Sequence, residues 1–231
     1  MNRNYYIVLD TETCNGFMEE NGKPNLTDSL VYDIGWAVVD KKGNVYEQRS
    51  FLVREVFVWE RGLMASAYYA EKIPQYWKDV ENGSRSILPW WMIRNQLLKD
   101  ANTYEVKAIM AHNAAFDVRA VNNTERWLSK SAYRYFLPYG VPVWDTLKMA
   151  HDTICKQKCY KRFCMDNGYM TNHKTPRPRE TAEVLYRYIK GNTQFVESHT
   201  GLEDVLIEKE IFAKCLRQHK PMRKELYASR A

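Results

Sequence analysis

The residues best placed to do chemistry begin with Asp10 and Glu12, which close the run Tyr5-Tyr6-Ile7-Val8-Leu9. Alternate side chains of a strand share a face, so the two carboxylates point the same way and Thr11 the other. A run apolar on both faces predicts a central strand. Two carboxylates side by side repel and resist full ionisation. Hard divalent cations with oxygen ligands offset that repulsion. An ordinary strand ending in an acidic turn has the same pattern, so the metal reading needs acids from elsewhere in the chain.

Two more acids have suitable settings. The β-prone residues 106–111 run into His112-Asn113-Ala114-Ala115-Phe116-Asp117. There Asn113 is placed to cap a helix, and Asp117 falls in its first turn, at the positive end of the helix dipole. An acid favours that place for the dipole alone. Near the other end, Thr200 and Glu203 have capping-box spacing, which predicts a helix from about Gly201, with His199 on the loop before it. Asp204, Ile207, Ile211 and Cys215 then share one face. An acid on an apolar face points inward and needs a partner or a metal; a buried salt bridge is the alternative.

The elements that must position these groups follow from periodicity. Residues 31–39 and 45–53 are strand-like, joined by the turn Asp40-Lys41-Lys42-Gly43-Asn44. A polar loop covers about 14–29. Residues 57–102 are helical in pattern, with Pro74 and Pro89 as breaks and Trp90-Trp91-Met92-Ile93 and Leu97-Leu98 on a buried face. A fourth strand at 106–111 and a fifth at 141–144, each followed by a helix, predict a mixed α/β fold. The 231 residues, 45% hydrophobic, suit one sizeable core, a single domain over 1–231. Five irregularly spaced cysteines point to a reduced, cytosolic compartment. The apolar run after Met1 is too short for a signal peptide, and no stretch approaches the ~20 apolar residues of a membrane span.

The net charge of +6 suits an anionic partner. The charge is concentrated: residues 156–190 hold nine Lys or Arg against three acids. Lys161, Arg162, Arg177 and Arg179 are the candidate phosphate contacts, and Tyr160, Phe163, Tyr169, Tyr186 and Tyr188 are interleaved with them. Cations on phosphates and rings under bases suit a single strand; a solvated lysine-rich surface is the alternative. His151, Cys155 and Cys159 fall at i, i+4, i+8, with Cys164 and His173 nearby. This spacing is a poor match to structural zinc sites, whose ligands pair around turns.

Taken together, the acidic segments resemble the motifs of the DEDDh exonucleases, the family typified by the proofreading epsilon subunit of bacterial replicative polymerases. Leu9-Asp10-Thr11-Glu12-Thr13 looks like the first motif, a strand ending D-x-E. His112 to Asp117 matches the second, H-N-x-x-F-D. His199 to Asp204 matches the third, H-x-A-x-x-D, with Gly201 where alanine is usual; both are small. The wording of the third motif is similar to stand-alone versions carried by bacteriophages, which would place the protein in the host cytoplasm. The basic segment 155–179 departs from the family's leucine-rich stretch, and no clamp-binding peptide follows the last helix, so a polymerase partner is not supported.

The resemblance implies an RNase H-like mixed sheet of five strands flanked by helices. It implies a 3′-5′ exonuclease acting on DNA, with single-stranded 3′ ends favoured, and releasing nucleoside 5′-monophosphates. Two Mg²⁺, replaceable by Mn²⁺, would be held by Asp10, Glu12, Asp117 and Asp204. His199 would be the general base, and Thr11, Thr13 and Asn113 further nucleic-acid contacts. An exoribonuclease of the same fold and a non-catalytic nucleic-acid-binding module are the alternatives.

Overall fold

A computed structural model of the protein describes residues 3–14, 27–67 and 69–227. Its centre is a six-stranded sheet: β1 (Tyr5–Cys14), β2 (Leu30–Asp40), β3 (Val45–Val53), β4 (Ser86–Leu88), β5 (Ile109–Ala111) and β6 (Val143–Asp145). The spatial order is β4-β3-β2-β1-β5-β6. The β1–β2 and β2–β3 pairs are antiparallel, whereas β3–β4, β1–β5 and β5–β6 are parallel. The expected meander and the two strands after it are therefore present. The sixth strand, β4, has only three residues and no alternation long enough to read from the sequence. The turn at Asp40 forms because its carboxylate accepts the amides of Lys42 and Asn44, while Gly43 takes a positive φ of 86°. Most of the loop expected over 14–29 lies outside the described residues, and Cys14 ends β1.

Among the described residues eight α-helices accompany the sheet: α1 (Arg61–Met64), α2 (Ile73–Glu81), α3 (Trp90–Thr103), α4 (Ala115–Ser129), α5 (Thr146–Ala150), α6 (Lys158–Asp166), α7 (Ala182–Lys190) and α8 (Gly201–Arg217). Pro89 precedes α3, as expected. Pro74 instead lies in the first turn of α2, where its missing amide costs nothing. In α3, Trp90, Ile93 and Leu97 are buried, but Trp91 and Met92 face outward.

The strand period divides the core in two. Ile7 and Leu9 of β1 join Ile34, Trp36 and Leu52, with Val118 and Val121 of α4 and Ile93 and Leu97 of α3. Tyr6 and Val8 point the other way, into Met110, Val205, Ile211 and Phe212. Each fully buried aliphatic or aromatic side chain contributes about 1.5–3 kcal/mol, which fixes the register of β1 between the two layers. Continuing that alternation puts Asp10 and Glu12 on the α8 side and Thr11 on the α4 side.

The start of α8 lies directly against β2. A Cβ on Gly35 would come within 2.6 Å of the Gly201 carbonyl carbon and meet the Leu202 amide nitrogen closer still. A Cβ on Gly201 would sit 2.8 Å from the Gly35 nitrogen. Alanine at 201 therefore does not substitute freely, contrary to what its small size implies. The same junction is tied by Asp33, which accepts the Gly201 amide at 2.9 Å and Arg85 Nη1 at 2.6 Å. We expect Gly35→Ala to destabilise the protein by about 1–3 kcal/mol, the usual scale of overpacking. Chemical denaturation measures it; a loss below ~0.5 kcal/mol would show the helix start to be loosely seated.

Candidate metal and nuclease site

The carboxylates converge at the end of β1. One oxygen of each of Asp10, Glu12 and Asp204 can be chosen so that all three lie within 4.8 Å of one another, close enough to hold one cation. Asp117 arrives from the opposite layer, on the first turn of α4, and accepts the Thr11 hydroxyl at 2.8 Å. Thr11 thus ties together the two sides of the site from the strand position between the two acids. All four acids line one open cavity of about 600 Å³ with Thr11, Tyr69, His112, Asn113, Phe116 and His199.

Asn113 does not cap a helix. It takes a left-handed φ of 66°, and α4 begins at Ala115 without a side-chain cap. The backbone amide of Asn113 donates to Asp145 at 3.1 Å, so this turn is held by a neighbour from β6 rather than by its own side chain. Helix α8 does start at Gly201, but the Thr200 hydroxyl donates to the Glu203 carboxylate instead of accepting an amide. Ile207, Ile211 and Cys215 are buried on the face of Asp204, as the periodicity predicts.

A fifth acid was not singled out in the sequence. Glu208 is 3% exposed, lies one turn beyond Asp204 and lines the same cavity. Its position on an inward helix face is the signal that could have found it. Among the described residues no Lys, Arg or His forms an ion pair with Asp10, Glu12, Asp117, Asp204 or Glu208, so the salt-bridge alternative for Asp204 does not hold. Oδ1 of Asp204 and Oε2 of Glu208 have no hydrogen-bond partner.

This crowding raises the proton affinity of every member. Burial lifts Glu12 to about 9, with Asp204 and Asp33 adding repulsion. Burial likewise lifts Asp204 to about 8 and Asp117 to about 7, the latter against the pull of the Thr11 hydrogen bond. Asp10 and Glu208 are raised well above the carboxylate range by burial first and then by neighbouring acids. A donor set of oxygens only, buried and unpaired, fits hard divalent cations.

His199 has a left-handed φ of 53° and lines the cavity. Its ring stacks on Tyr69, with centroids 4.3 Å apart and planes 10° apart. Burial lowers its pKa and the Lys72 charge lowers it further. Lys72 also donates to the Ser198 carbonyl, holding the loop that presents His199. Neither Tyr69 nor Lys72 carries a signal in the sequence.

The other candidates are scattered. Thr13 is buried in β1 and absent from the cavity lining. Arg177 and Arg179 line a second hollow of about 750 Å³ with His151, His173 and Lys174; Glu180 lines both hollows. Lys161 and Arg162 are exposed on α6 and line neither, and Arg162 lies 3.6 Å from Asp166. The interleaved rings are largely packing: Tyr160 is fully buried, and Phe163, Tyr169 and Tyr188 pack around it or one another. His151, Cys155 and Cys159 are not brought together as a ligand cluster among the described residues. His151 to Cys155 form a π-helical turn that ends before α6, His151 bonds Glu180 at 2.8 Å, and Cys155 is buried while Cys159 is exposed. Among the described residues the clustered ligands are Asp10, Glu12 and Asp204.

No family model and no curated protein matches the sequence. Solved structures do. A 3′-exonuclease in specific recognition of the 3′ end of a histone mRNA stem-loop matches at 12% identity and TM-score 0.60, over 99% of this chain and 89% of that one. The nuclease domain of 3′hExo, described as a DEDDh family member bound to rAMP, matches at 12% identity and TM-score 0.58, over 96% of each chain. The chain therefore shares the fold of these two structures. Among the described residues no helix is long and apolar enough to cross a membrane.

The raised carboxyl pKa values set a pH dependence. These groups bind protons more tightly folded than unfolded, so without metal their contribution to stability is full below about pH 4, the ordinary carboxylate value, and is lost progressively as pH rises to about 7 to 9. A divalent cation needs the deprotonated forms. The melting-temperature gap between Mg²⁺ and chelator should therefore widen from about pH 5 to about pH 9. A gap constant across that range would mean that these acids do not bind the ion.

Proposed function

We propose that the protein is a metal-dependent 3′-5′ exonuclease that hydrolyses phosphodiester bonds, with DNA bearing single-stranded 3′ ends as the favoured substrate. The observation that carries this reading is the convergence of Asp10, Glu12, Asp117 and Asp204, from three separate elements, in a cavity that also presents His199. The fold shared with 3′-exonucleases supports it. The structures that share the fold are described with an mRNA stem-loop and with rAMP, so RNA is the second substrate to test, and the 2′-hydroxyl is what would separate the two.

Two Mg²⁺, when bound, supply the positive charge that stabilises the attacking and leaving oxygens of an in-line displacement. The chain's own contributions are positional and protolytic. Asp10, Glu12 and Asp204, together with Asp117 oriented by Thr11, would hold the cations. His199 is kept neutral by burial and by Lys72, as a general base must be. It takes the proton from the attacking water, and its stacking on Tyr69 fixes the ring plane for that transfer. Phe116, Tyr69 and Leu147 give the cavity an apolar lining suited to the terminal nucleotide. Arg177 and Arg179 border the neighbouring hollow and would meet phosphates further along the strand, with Lys161 and Arg162 beyond them. The products are nucleoside 5′-monophosphates. Residues 1–231 act as one exonuclease domain, in the cytoplasm of the cell that contains it.

We expect Asp10→Ala to abolish release of nucleotides from a 3′-labelled single strand in Mg²⁺ while the protein stays folded, since a repelling charge has been removed. Hydrolysis within tenfold of wild type would refute the assignment. DNA and RNA strands of one sequence, run side by side, decide the sugar.

We expect His199→Ala to lower the turnover number by about 10²–10⁴-fold with little change in metal or strand binding. With Mg²⁺ saturating at every pH, wild-type activity should fall on acidification through a pKa below about 6.5, the ordinary histidine value. An identical acid limb in the His199→Ala enzyme would remove the base role.

A further inference from the structure

We propose that Glu208 is a fifth carboxylate of the metal centre, presenting Oε2 to the cations held by Asp10, Asp117 and Asp204. The inference rests on the two-metal reading of the cavity and extends it to a residue outside the motifs. Four observations carry it. Glu208 lies four residues after Asp204 on α8, so both side chains leave the same helix face. It is 3% exposed and lines the acid cavity. Its Oε1 accepts the His112 amide at 3.1 Å, which fixes the carboxylate to the loop that leads into Asp117. Its Oε2 has no hydrogen-bond partner at all.

A structural acid in this position would be expected to use both oxygens. Buried carboxylates are retained when paired or when they coordinate metals, and no cationic side chain pairs with this one among the described residues. Burial disfavours its charge and the Asp117 carboxylate adds repulsion, opposed by the His112 amide; Asp204 and Glu197 then add further repulsion. The anchored Oε1 leaves Oε2 in a fixed place, as expected of a ligand or of a group that orients one. An apolar or amide side chain would fill the same volume without this repulsion.

The test is Mn²⁺ binding, read from the paramagnetic resonance of the free ion and needing no substrate. Wild type, Asp10→Asn and Glu208→Gln are titrated, and the metal-free melting temperature of each is measured. Glutamine keeps the shape and the acceptor for the His112 amide but loses the charge. We expect Glu208→Gln to weaken Mn²⁺ binding about 10–100-fold, with a metal-free melting temperature equal to or above wild type. If Glu208→Gln fails to fold, Glu208→Met, of similar length and without polar atoms, is titrated and judged in the same way. Mn²⁺ affinity within twofold of wild type, while Asp10→Asn loses binding, overturns the role of Glu208 and leaves the two-metal reading standing. Wild-type protein that binds no Mn²⁺, or Asp10→Asn that binds it normally, overturns both.

Discussion

Five carboxylates at one end of a sheet, four of them buried and Asp10 partly so, repel one another, and the remaining structure has to hold them there. Water is largely excluded from Glu12, Asp117, Asp204 and Glu208, and no basic side chain is paired with them among the described residues. In isolation such a cluster would push its elements apart or take up protons. Burial first, and then the neighbouring acids, favour the second response by raising the pKa values. The compensating force is hydrophobic: both layers of the core meet on β1, a few residues before the acids begin. Both core layers thus lie next to the cluster of repelling acids.

Three devices transmit that packing to the acids. The first is strand alternation, which sends Asp10 and Glu12 to one layer and Thr11 to the other, where its hydroxyl holds Asp117. The second is the glycine contact between Gly35 and Gly201, which brings the first turn of α8 close enough to set Asp204 beside Asp10. The third is the buried pair of Asp33 and Arg85. Asp33 stands opposite Glu12 in the β1–β2 register, so one more acid lies behind the site. Its charge is matched by Arg85, which also reaches Glu203 at 3.2 Å and covers the Tyr76 ring. Removing either member of such a pair leaves an uncompensated buried charge, which typically costs about 3–5 kcal/mol.

The histidine is positioned by different means. It lies on a loop with a left-handed backbone, outside the helix that carries Asp204. A loop residue can move relative to its scaffold, and here an aromatic ring on one side and a lysine on its backbone restrain it. The same lysine biases the imidazole toward its neutral form. One cation therefore serves both geometry and protonation state, at a point where the acids themselves admit no cationic side chain.

The sequence by itself determined the pieces with local causes. Apolar, β-prone runs marked β1, β2 and β3, and the Asp40 turn followed from its own side chain; the start of α8 was also legible, although Asp33 rather than the Thr200 side chain holds its first amide. The acids were legible because a carboxylate on an otherwise apolar strand end or helix face is energetically anomalous wherever it occurs. What had no local cause was decided by tertiary structure alone. The three-residue β4 exists only because β3 offers it a partner. Asn113 lost its capping role because Asp145, distant in sequence, holds its amide. The aromatic rings among the basic residues turned inward because α6 and α7 pack on each other, and no single-chain periodicity distinguishes a ring facing a partner helix from one facing a nucleic acid. Glu208, Lys72 and Tyr69 joined the site for the same reason: spacing along a helix tells which residues share a face, but only the packed molecule tells what that face meets.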